Sequence, residues 1–140
     1  MRYTGGDGND LSLVRNGYTI WADGYPTLSG GPLDDDDNDG WVNLAEYALD
    51  GDPTNGFVDG NVPIVGRSDG LMEYVYARRT DDAALSYWLE TTDSLVFGTW
   101  SNRGYAVTGT NSMGELFDIV TNSIPLSDPE KFIRLLIQWR

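Results

Sequence analysis

Residues 71 to 90 read Leu71-Met72-Glu73-Tyr74-Val75-Tyr76-Ala77-Arg78-Arg79-Thr80-Asp81-Asp82-Ala83-Ala84-Leu85-Ser86-Tyr87-Trp88-Leu89-Glu90. The period is two. Met72, Tyr74 and Tyr76 fall on one face, and Leu71, Val75 and Ala77 on the other. After the acidic pair Asp81-Asp82, Leu85, Tyr87 and Leu89 alternate with Ser86, Trp88 and Glu90. Such alternation marks strands, and a short turn between two of them predicts a hairpin. Of Arg78 and Arg79 one is expected to be exposed and the other to cap an acidic neighbour. A strand start near Val62 to Val65 follows a Gly- and Asp-rich linker, Gly51 to Gly60. Weaker strands are expected near Arg103 to Thr108 and Glu115 to Val120. The last segment reads two ways. Asp128-Pro129-Glu130 resembles a helix start, with Phe132, Leu135, Leu136 and Trp139 at helical spacing, and pattern alone mildly prefers that. Ile133, Leu135, Ile137 and Trp139 also alternate as in a strand.

Upstream of the strands the chain changes character. Residues 35 to 46 read Asp-Asp-Asp-Asn-Asp-Gly-Trp-Val-Asn-Leu-Ala-Glu. They fit the calcium-loop template D-x-[DN]-x-[DN]-G-x5-E at every fixed place. Asp35, Asp37 and Asp39 take positions 1, 3 and 5, and Gly40 takes position 6, where the chain must turn sharply. Trp41 would bind through its carbonyl, Asn43 directly or through a water, and Glu46 through both carboxylate oxygens. Starting one residue earlier, at Asp34, loses the turn glycine and puts Ala45 at position 12. An acidic run is more often a solvated face. Here, however, like charges ~4 Å apart repel by roughly 1 kcal/mol in water and by several near an effective dielectric of 20. A hard divalent cation with oxygen ligands, calcium above all, removes that strain. Trp21, Tyr25 and Leu28 share a face of a short entering helix. Val42 to Leu49 supports an exiting helix that stops at Gly51 and Pro53. Its two apolar faces predict a helix clamped between other elements.

A chain of 140 residues with 40% hydrophobic and 12% aromatic residues can bury a core. Its net charge of −13 disfavours nucleic acid and anionic surfaces. No run of 18 apolar residues offers a membrane span. There is no cysteine and no histidine, and Lys131 is the sole lysine. No phosphate-binding loop or nucleophile elbow occurs. Carboxylates abound but are committed to the loop or to turns. No catalytic residue and no organic cofactor is therefore expected. Near the start, Gly5 to Asp10 matches the opening of a calcium β-roll repeat, but Ser12 breaks it. A Gly/Asp turn before a strand at Leu11 to Arg15 is the preferred reading. Met1-Arg2-Tyr3 leads into this polar run with no apolar leader, as expected of a piece of a longer secreted protein. Trp88, Trp100, Tyr74, Tyr76, Tyr87 and Tyr105 could form a sugar-stacking face, although core packing is the commoner use of such rings.

The loop, with its exit Asp50-Gly51-Asp52-Pro53-Thr54-Asn55, resembles those of dockerins and bacterial thrombospondin type 3 repeats. A dockerin uses two such loops to bind cohesin; one loop does not imply that partner. The wider span resembles the C-terminal region of large secreted proteins of Verrucomicrobia and Planctomycetes. The matching residues are Tyr3 to Asp10, Glu46-Tyr47-Ala48, Tyr76 to Arg79, Tyr87 to Glu90, Leu95, Trp100 and Phe132 to Leu135. That resemblance implies secretion, β-structure and a strand at the C-terminus.

The expectation is a mainly β chain: a small antiparallel β-sandwich preceded by a short helix–calcium loop–helix, EF-hand-like module. Residues 1–16 form an N-terminal turn and strand, 17–56 the calcium module and 57–140 the β-sandwich. The expected role is a non-catalytic, calcium-stabilised structural module outside the cell or at its surface. It would act in matrix assembly, including self-association into filaments, or in adhesion. The alternative is a carbohydrate-binding accessory module. A single loop lacks the paired architecture of a sensor, so the ion is expected to clamp rather than signal.

Overall fold

The computed structural model describes residues 17–126 and 130–140. The strand expected at Leu11 to Arg15, and the turn before it, lie outside the described residues. Two short helices, α1 (Gly17–Ala22) and α2 (Asn43–Leu49), precede six strands. These are β1 (Ile64–Ser68), β2 (Leu71–Arg79), β3 (Leu85–Thr92), β4 (Ala106–Met113), β5 (Phe117–Pro125) and β6 (Phe132–Trp139). The chain is mainly β, and every strand pair is antiparallel. One sheet has the order β1-β2-β5-β4, and the other pairs β3 with β6.

The strands β2 and β3 form where alternation places them, but they are not a hairpin. The partners of β2 are β1 and β5, in register from Leu71↔Pro125 to Arg79↔Phe117. After Arg79 the chain crosses to the other sheet. The cause is the pair of inward aromatic faces: Tyr76 of β2 stacks on Tyr87 of β3 with centroids 6.1 Å apart and planes 13° from parallel. The strand pairing puts β2 and β3 in different sheets, so this contact bridges the two. The hairpin lies instead between β1 and β2. There Asp69 (φ 47°) and Gly70 (φ 76°) supply the two left-handed residues that a tight two-residue turn requires.

The last segment is a strand, as the family resemblance implied and the helical spacing did not. It pairs with β3 along its length, from Leu85↔Trp139 to Thr92↔Phe132. Ile133 and Leu135 pack on the buried cluster Tyr76, Leu89 and Val120 between the sheets. Ile137 and Trp139 pack on a second cluster, Tyr18, Tyr47, Ala48 and Leu85. One alternating face thus serves both clusters, whereas a helix could reach only one. The weaker strands appear as β4 and β5, displaced toward the C-terminus of their expected spans. Outer strand β4 is mostly exposed and polar, with an irregularity between Val107 and Gly109. Polar Asn122 is buried within β5, its amide donating to the Tyr74 carbonyl at 3.1 Å.

The second cluster docks the helices onto the strands. Tyr18 of α1 meets Tyr47 of α2 edge-on at 5.7 Å and Trp139 of β6 at 5.6 Å. Helix α1 stops at Ala22, sooner than expected, so only Trp21 of the predicted apolar face lies within it. Tyr25 still meets Trp21 edge-on at 5.0 Å from beyond the helix end. Since the acidic loop begins at Asp35, α1 does not lead directly into it.

Candidate metal centre

The acidic loop is built from its own backbone. Asp35 accepts the Asn38 N–H at 2.7 Å and the Gly40 N–H at 3.0 Å, one on each oxygen. Asp37 accepts from Asp39 at 3.2 Å, and Asp39 accepts from Trp41 at 2.7 Å. Gly40 has φ 99°, which a side chain would disfavour. These bonds turn the chain so that one oxygen each of Asp35, Asp37 and Asp39 lies within 4.8 Å of the others.

Beside this cluster stands Glu46, in the first turn of α2 and 2% exposed. Both of its oxygens are buried without a hydrogen-bond partner, as are Oδ2 of Asp37 and Oδ2 of Asp39. Burial first, and then the charges of Asp37, Asp39 and Asp35, push the Glu46 carboxyl up to about 7. Burial first, and then the charges of Asp39 and Asp35, raise Asp37. Buried acceptors without donors are costly and rare. Such a cluster could hold a metal ion, and with no nitrogen or sulfur donor among these side chains the set suits a hard, oxygen-seeking cation.

The other two expected ligands stand differently. Trp41 holds position 7, and its side chain lines a small apolar cavity with Ala45, Leu49 and Tyr74. Asn43 is wholly buried, its amide donating to the Gly31 carbonyl at 2.9 Å and to Asp36 at 3.1 Å. It thus ties α2 to the segment before the loop, and its Oδ1 is left without a partner.

Asp36, between two candidate ligands, was not singled out by the template. It accepts the Ser29 N–H at 2.7 Å, the Ser29 hydroxyl at 3.0 Å and the Gly30 N–H at 3.0 Å. The Ser29 N–H foremost, then Asn43 and Gly30, hold its carboxyl at about 2. Asp36 is a staple, facing away from the cluster. The exit segment closes the other side. A Cβ on Gly56 would come within 3.0 Å of the Asp39 Cβ, and the Asn55 N–H faces Asp37.

The far end of α2 is bolted to the β-layers. The last four carbonyls of a helix lack partners within it. Here Gly51 N–H serves Glu46 at 2.8 Å, and Arg79 Nε serves Tyr47 at 2.9 Å. The Tyr87 hydroxyl serves Ala48 at 2.9 Å, and Asn61 N–H serves Leu49 at 2.5 Å. The expected pairing of roles for the two arginines holds in part. Arg78 is part-exposed and meets Asp118 at 2.9 Å. Arg79 is buried, and its chief work is at the helix end. No local pattern in the sequence marks a strand arginine for that task.

The rings considered for sugar stacking are mostly internal. Tyr76 is buried between the sheets, Tyr74, Tyr87 and Tyr105 pack against that cluster, and Arg134 covers Trp100 at 4.3 Å. No helix among the described residues is long and apolar enough to cross a membrane. No family model matches the chain, and neither a curated protein nor a solved structure matches it.

A pH dependence follows for the metal-free protein. The folded Glu46 carboxyl is raised from 4.5 to about 7. Between these values the folded state holds a proton that the unfolded state has released, so stability falls as pH rises. In excess EDTA, the protein is expected to be most stable near pH 4.5 and to lose on the order of 2–3 kcal/mol by pH 7.5. Urea unfolding at the two pH values measures this. A flat profile would place Glu46 in a solvated setting.

Proposed function

We propose that this chain is a calcium-stabilised, non-catalytic module of an extracellular or cell-surface assembly, its ion holding a helix–loop–helix segment against the β-layers. The observation that carries the reading is Glu46: a buried carboxylate with two unpartnered oxygens, beside three clustered aspartates. The chain contains no histidine or cysteine to favour zinc or copper. Four carboxylates, three from the loop and one from α2, suit calcium, which accepts six to eight oxygens, better than the stricter octahedron of magnesium. A single loop of this kind fills reliably where calcium is about millimolar, so an extracellular setting goes with this reading. The site lies at a joint, with α2 bolted to β2 and β3, so the ion sets geometry rather than exposing a new surface. Paired catalytic groups have no part in this reading.

Titration calorimetry tests it. One calcium per chain is expected to bind, with magnesium at least tenfold weaker. Asp37→Ala and Glu46→Ala should abolish binding, while Asp34→Ala should leave it within about threefold. Equal losses in all three variants would mean diffuse attraction to an acidic surface, and the assigned site would be wrong.

A further inference from the structure

We propose that copies of this chain join head to tail, the Leu95–Val96–Phe97 turn of one seating in an apolar groove on the outer face of the four-stranded sheet of the next. The proposal rests on the assembly reading above and names the two surfaces that would carry it.

The turn is unusual for its exposure. Leu95, Val96 and Phe97 are 64%, 78% and 92% exposed. Single exposed apolar residues are ordinary, whereas three large ones in a row at one tip call for a partner. The turn is also firmly built. The Ser94 hydroxyl accepts the N–H groups of Val96 at 3.3 Å and Phe97 at 3.2 Å, and Gly98 N–H donates to the Ser94 carbonyl at 3.1 Å. A Cβ on Gly98 would collide with Thr92 and Ser94, so the chain can pass there only as glycine. A tip already ordered loses little entropy on docking.

The groove lies on the sheet face turned away from β3 and β6. Strand pairing sets Ile64 beside Val75, Ala77 beside Ile119, and Phe117 beside Met113 on that face. All of these but Phe117, which is buried against Arg79, line with Val62 and Asn61 a hollow of about 360 Å3, open enough that Ile64 remains 68% exposed. A convex apolar tip and a concave apolar hollow thus occur on different faces of one chain.

Charge favours the same partner. Arg103 lines the cavity beside Phe97, and no acidic residue pairs with it among the described residues. At the groove, Gly60 is on the lining, with exposed Asp59 preceding it in the chain. A net charge of −13 repels like copies, but at physiological salt charges beyond about 8 Å are largely screened. Arg103 beside the tip and Asp59 beside the groove carry opposite charges, and the acidic loop is the more distant, screened contribution. Because tip and groove are different surfaces, the contact is heterologous and builds open chains.

Sedimentation velocity on the calcium-loaded full chain tests this. The wild type is expected to show a sedimentation coefficient that rises with concentration. Phe97→Asp and Ile64→Asp, both at exposed positions, should each shift half-association at least tenfold upward in concentration. An equimolar mixture of the two should form dimers and stop, because only one intact tip and one intact groove then meet. Val62→Asp, outside any strand, replaces Ile64→Asp if the latter melts early. Assembly that persists unchanged in both variants, or a mixture that stays monomeric while the wild type assembles, overturns the assigned surfaces and leaves the assembly reading standing. A wild type that stays monomeric overturns both. A monomer that instead pellets with phosphatidylcholine vesicles through Phe97 would make the tip a lipid contact and sink the proposal.

Discussion

Chelation at pH 7.5 is expected to lower the melting temperature by roughly 10 °C. A ligand at about a hundred times its dissociation constant adds about 2.7 kcal/mol to the folded state. For a domain of this size each kcal/mol moves the midpoint by roughly 3–5 °C. The loss has a specific cause. Without the cation, Glu46 and the facing oxygens of Asp37 and Asp39 stay buried with no donor. Glu46→Gln separates the two contributions. It removes the buried charge, so its midpoint in EDTA is expected to exceed that of the wild type in EDTA, while calcium no longer raises it. Differential scanning calorimetry of both proteins, with calcium and with EDTA, reads all four midpoints. If the wild type melts at the same temperature in both, the ion has no structural part.

The acidic loop was legible because ion coordination needs oxygens at fixed spacing, and spacing is a property of sequence. Its turn at Gly40 and its aspartate cluster stand where the template puts them. The strand bounds Leu71 to Arg79 were equally legible, since a half-buried sheet imposes a period of two. What the alternation could not supply is the partner. Whether β3 lies beside β2 or across from it depends on Tyr76 meeting Tyr87 and on Val120 and Ile124 reaching β2 from far along the chain. Asn122 and Ser123 concealed the second half of β5 for a related reason, because a buried asparagine whose Nδ2 donates to the Tyr74 carbonyl reads as a loop until its partner is known. Asp36 was hidden by its neighbours. In a run of four aspartates nothing local distinguishes the one that turns back to Ser29 and Gly30 from those that face the cluster.

Arg79→Ala should cost about 3–5 kcal/mol, a loss as large as that of the ion. The side chain is 6% exposed and lies between two rings, its guanidinium carbon 4.4 Å from the Tyr47 centroid and 4.7 Å from that of Phe117. Desolvated cation–π contacts reach about 2 kcal/mol, and a buried carbonyl left without its donor costs about 1–3. The ion pairs with Asp81 at 3.2 Å and Asp50 at 3.8 Å add little, since both carboxylates are half exposed. Arg79→Lys keeps the charge but loses the planar fork that reaches the Tyr47 carbonyl, and should cost about half as much. The effect should also reach the ion. Tyr47 follows Glu46 directly, so releasing the helix end frees the turn that carries the buried carboxylate, and calcium affinity falls about tenfold in Arg79→Ala. Urea unfolding and calorimetric titration give the two numbers. A variant that loses stability while binding calcium as tightly as the wild type would show that α2 holds Glu46 in place without its bolt, and that the ion and the β-layers act independently.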